Sequence, residues 1–117
     1  MRKFTVILFA TALTLILSCE RRTFEDLSDN TPITQTIKYT DQVRPIIQNN
    51  CISCHSSGGA ASYYPLTNYI ETKSAIDNIL IRIQKPSGDP EKMPQGGSLS
   101  QNSIDIIKKW KTDGLLE

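Results

Sequence analysis

The chain is short of the residues that build metal clusters and disulfide frameworks: among 117 residues there are one histidine, two methionines and three cysteines. Three cysteines do not make a disulfide framework, which in exported domains normally shows an even count. One histidine excludes bis-imidazole ligation within one molecule. A structural zinc site would have to be completed by carboxylates. Basic residues are not in excess either, with 13 Lys and Arg against 12 Asp and Glu. A clustered cationic surface able to neutralise phosphates is therefore missing, and nucleic acid is not an expected partner. The apolar run from Phe4 to Leu17 is about 14 residues long, short of the roughly 18 to 20 of a spanning helix. No repeat or low-complexity tract appears, and the length suits a single domain.

That apolar run has the outline of an export signal, with Arg2 and Lys3 ahead of it and Leu17-Ser18-Cys19 at its end. Ile16-Leu17-Ser18-Cys19 resembles the lipobox of bacterial lipoproteins. The resemblance implies a signal peptide over residues 1–18, an acylated Cys19 as the new N-terminus, and attachment on the periplasmic side of a bacterial membrane. A transmembrane anchor is the competing reading. Removal of Arg2 and Lys3 leaves eleven basic against twelve acidic side chains, a net charge of −1. Residues 19–38 are polar, broken by Pro32 and without apolar periodicity, so they are expected to form a flexible tether reaching on the order of 60 Å. The globular domain is expected over residues 39–117.

Within that domain the pattern is helical. Thr40 is a candidate N-cap for a first helix whose apolar residues are Val43, Ile46 and Ile47, with Pro45 confining or kinking its first turn. Asn68 and Glu71 have capping-box spacing before Ile76, Ile79, Leu80 and Ile83, a stretch from about Asn68 to Gln84 with a break near Asp77. Lys85 to Ser98 holds three prolines and three glycines and is expected to be a long loop. Ser100 is placed to cap a last helix with Ile104, Ile107 and Trp110 on one face, Lys108, Lys109 and Lys111 near its end, and Gly114 closing it.

Cys51-Ile52-Ser53-Cys54-His55 has the spacing of a c-type haem attachment sequence, two thiols for two vinyl groups and an adjacent histidine for the iron. A zinc site lacks ligands, a thioredoxin-like motif lacks a βαβ setting, and a plain disulfide leaves His55 without a role. A domain of about 80 residues also has difficulty burying enough apolar surface alone, which a covalently held macrocycle would relieve.

Taken in order, Val43-Arg44-Pro45-Ile46-Ile47, the Cys51 to His55 pentapeptide, Lys92-Met93-Pro94-Gln95-Gly96-Gly97, Leu99-Ser100, and Ile107 to Trp110 followed by Gly114 resemble a class I cytochrome c of the small bacterial monohaem kind. The resemblance implies an all-α domain of three to four helices wrapped around one haem c, with thioethers at Cys51 and Cys54. His55 would be the proximal ligand and Met93 the distal one. It further implies that the Pro65 carbonyl accepts from the His55 ring and that Leu66 lies against the haem. Tyr64 and Trp110 are candidates for a propionate contact or for packing alone. The expected function is one-electron transfer between redox proteins that dock briefly at the haem edge, not catalysis. Two rivals are a haem-based sensor or enzyme in which Met93 leaves the iron, and a redox or structural module of a larger respiratory or dehydrogenase assembly.

Overall fold

Proline has no N–H to give to a helix, and Pro45 sits where the first helix becomes regular. A computed structural model describes residues 32–117; the expected signal peptide, Cys19 and most of the tether lie outside them. The chain enters through a π-helical turn, Tyr39–Val43, in which the Val43 N–H reaches the Lys38 carbonyl at 3.4 Å. It tightens into α1, Arg44–Asn50, with Pro45 in the first turn, where a missing N–H is harmless. Thr40 does not act as the cap. It lies inside the π-turn, and the Gln42 side chain instead accepts from the Lys38 N–H at 2.8 Å.

After a loop come α2, Tyr69–Ser74, and α3, Ile76–Ile83. The break falls at Ala75, two residues before the expected position, where Ser74 donates its hydroxyl back to the Ile70 carbonyl at 2.6 Å. Asn68 caps α2 by accepting from Glu71 N–H at 3.0 Å, but Glu71 returns its carboxylate to Thr67 rather than to Asn68. The last helix is α4, Gln101–Thr112, capped by Ser100 as expected and ended by Gly114 at a φ of 95°. All regular structure among the described residues is helical, and no helix there is long and apolar enough to cross a membrane.

The core gathers one face each of α1, α3 and α4: Ile47, Ile76, Ile79, Ile83, Ile107 and Trp110 are buried together with Val43 and Leu66. Tyr39, Tyr69 and Trp110 form a triangle of rings with centroids 5.5 to 6.3 Å apart. The chain after α4 closes over this triangle, because the Leu116 carbonyl accepts both the Tyr39 N–H and the Trp110 indole N–H. The packed unit also begins before residue 39. Ile37 is fully buried and donates its N–H to the Asp113 carboxylate at 2.8 Å, so the expected tether is anchored in the core over its last residues.

Candidate cofactor site

Helix α1 ends where the chemistry begins. Its last bonds run from Cys51 and Ile52 N–H to the Ile47 carbonyl, and the next turn closes on itself with His55 N–H reaching the Cys51 carbonyl at 2.9 Å. Cys51, Cys54 and His55 are thus presented within one turn. Both thiols are free; Cys51 is half-buried against the core and Cys54 is exposed. Burial pushes the Cys51 thiol up to about 11, opposite to the depressed value a thiol–disulfide exchange nucleophile needs.

The chain then folds back on this turn. Ala61 N–H reaches the Cys54 carbonyl at 2.9 Å, and Leu66 N–H reaches the His55 carbonyl at 2.9 Å. A Cβ at Gly59 would overlap the Cys54 carbonyl, so only glycine fits there. His55 Nδ1 lies 2.7 Å from the Tyr64 carbonyl oxygen. A carbonyl can only accept, so Nδ1 carries a proton, and Nε2 is the ring nitrogen left to meet a metal. The acceptor is Tyr64, one residue before the Pro65 whose carbonyl the resemblance implied. Tyr64 is itself held, its hydroxyl accepting from Asn78 Nδ2 at 3.2 Å, and its ring meets the His55 ring edge-on. Pro65 is exposed, whereas Leu66 is buried in the core.

Met93 lies on the loop between α3 and α4, half-buried, with its N–H on the Arg82 carbonyl at 3.2 Å. Lys85 and Lys92, the amines of the same loop, are engaged with their own neighbours. Lys85 pairs with Asp89 and Glu91, and Lys92 donates to the Lys85 carbonyl. Trp110 gives its indole N–H to Leu116 and is fully buried, which is a packing role. Lys108, Lys109 and Lys111 are each paired, with Asp105, Asp113 and Asp77, so the end of α4 is not a free cationic patch.

Two free thiols and an imidazole with its Nδ1 on a carbonyl lie in one turn and are the residue types a c-type haem takes, while Met93 lies apart on the loop after α3, tied to Arg82. It does not fit zinc, since no group of three His, Cys, Asp or Glu side chains converges among the described residues. Sequence reading missed Gly59 and Asn78. The first follows from a backbone approach and the second from a contact across 14 positions, and neither leaves a local pattern. Comparisons with protein-family models, curated proteins and solved structures find no match to this chain.

Proposed function

We propose that the chain is a monohaem electron carrier of the c type, anchored through an acylated Cys19 and exchanging electrons with larger redox proteins. The observation that carries this reading is the His55 ring. Its Nδ1 proton is committed to the Tyr64 carbonyl at 2.7 Å, which leaves Nε2 as a metal donor one turn from two free thiols.

In this reading Cys51 and Cys54 would hold the macrocycle covalently, and His55 and Met93 would be the chain's donors to its iron. Bound haem supplies a one-electron iron couple. The Tyr64 carbonyl keeps the His55 ring in one orientation. Leu66 and Ile52 exclude water from the neighbouring core. Were the chain to supply both of these donors, the iron would have no place for substrate, and electron transfer is the chemistry it would then support. Partner docking would rest on shape at an exposed edge more than on long-range steering, because the α4 lysines are neutralised by their own neighbours.

The test is a spectroscopic redox titration of the haem-loaded protein beside its Met93→Ala variant. The wild type should titrate as one electron, bind carbon monoxide poorly in the ferrous state, and show a weak sulfur-to-iron charge-transfer band when oxidised. The variant should lose the band, fall in potential and bind the gas readily. Ready binding by the wild type, with a spectrum unaltered in Met93→Ala, would overturn His/Met ligation and favour the sensor reading.

A further inference from the structure

A thioether is a weak ligand, and Met93 sits in the middle of the segment from Gln84 to Ser100, which has no helix or strand of its own. Something must restrict that segment for one side chain in it to hold a fixed place. Three glycines lie in it, two of them at positive φ, which makes an unrestrained loop costly to order.

The restraint runs through the basic carboxyl end of α3. The Arg82 carbonyl accepts the Met93 N–H at 3.2 Å, and its guanidinium reaches the Glu91 carbonyl at 3.3 Å. Lys85 Nζ lies 3.1 Å from the Asp89 carboxylate and 2.8 Å from that of Glu91, and the Lys85 carbonyl accepts from Lys92 Nζ at 2.5 Å. The Arg82 links join the last turn of α3 to Glu91 and Met93, and the Lys85 links join the chain just past α3, whose Lys85 N–H lies on the Arg82 carbonyl at 3.4 Å, to Asp89, Glu91 and Lys92. Lys85 is the hub, since its ammonium gathers two carboxylates that would otherwise repel each other.

We propose that Lys85 is a positioning residue for Met93: its paired ammonium, with Arg82, staples the loop to the end of α3 so that the thioether is held in place before any ligand is bound. This rests on the His/Met reading above but concerns a restraint that belongs to the polypeptide.

The experiment compares wild type, Lys85→Gln and Lys85→Arg in the haem-loaded protein, by two readouts. The first is hydrogen exchange of the Met93 amide, which reports the staple directly. The second is the affinity of added imidazole for the ferric iron, which reports how firmly the sixth position is held. Loss of two partly exposed pairs should speed exchange and tighten imidazole binding by roughly three- to tenfold in Lys85→Gln, with Lys85→Arg near wild type. An Asp89→Asn, Glu91→Gln double variant removes the same pairs from the other side and should reproduce both effects. Unchanged exchange at Met93 in Lys85→Gln and in the double variant overturns the staple whatever ligates the iron. Faster exchange with unchanged imidazole affinity, in a wild type that shows the sulfur band, overturns the positioning role. Absence of that band in the wild type is failure of His/Met ligation instead, and the exchange result then decides the staple alone.

Discussion

At the scale of single residues the site depends on backbone as much as on side chains. The Cys51, Cys54 and His55 spacing is legible in the sequence because it is a local pattern of residue types. The partner of His55 is not, because a backbone carbonyl carries no residue identity. Pro65 and the Tyr64 that accepts are neighbours, and only the path of the loop decides between them. Gly59 is equally silent in the sequence, one of a Gly-Gly pair in a stretch of small residues. Its neighbour Gly58 has open space and a φ of 95°, whereas Gly59 faces the Cys54 carbonyl. Gly59→Ala is therefore expected to destabilise the protein by roughly 1 to 3 kcal/mol, the range for overpacking a close contact. Urea denaturation of the haem-loaded variant measures it, and an unchanged midpoint would show that the turn relaxes freely.

At the scale of elements the helices could be read from apolar spacing and caps, and Asn68 and Ser100 cap where expected. The π-turn could not, because Thr40 offers the right side chain in the wrong register and the constraint comes from Pro45 five residues on. Nor could the anchoring of Ile37, an isolated apolar residue in a polar stretch whose burial requires a partner 76 positions away. Asp113 is that partner. One carboxylate oxygen accepts the Ile37 N–H at 2.8 Å and the other takes the Lys109 ammonium at 2.9 Å. The Ile37 N–H, then Lys109, holds this carboxyl below its ordinary value. A depressed value in the folded state means that the contribution is complete above the unfolded value and is lost as pH falls from about 4 through the folded value. Glu71, held down by the Thr67 N–H and hydroxyl, acts in the same direction. Urea midpoints should thus fall on acidification below about pH 4. In Asp113→Asn the neutral-pH midpoint should be lower and the acid slope shallower; an acid slope equal to that of the wild type would remove Asp113 from the account.

At the scale of the whole molecule a helical unit of some 80 residues is organised around two loops, Ser56 to Pro65 and Lys85 to Ser98, with little regular structure of their own. The core of helix faces and the aromatic triangle lies toward the chain ends, where Tyr39, Trp110 and Leu116 meet. The Cys51 to His55 turn opens at the other end of α1, where a large apolar group held by both thiols would extend the core. The central claim is therefore covalent haem attachment at Cys51 and Cys54. Its most direct test is intact mass, under denaturing conditions, of the mature protein produced in a host able to attach haem to exported proteins. The wild type should carry the mass of one haem that denaturant does not release, and the Cys51→Ser, Cys54→Ser double variant should carry none and accumulate poorly or unfolded. A well-folded wild type of unmodified mass, its two cysteines free or joined to each other, would contradict the account.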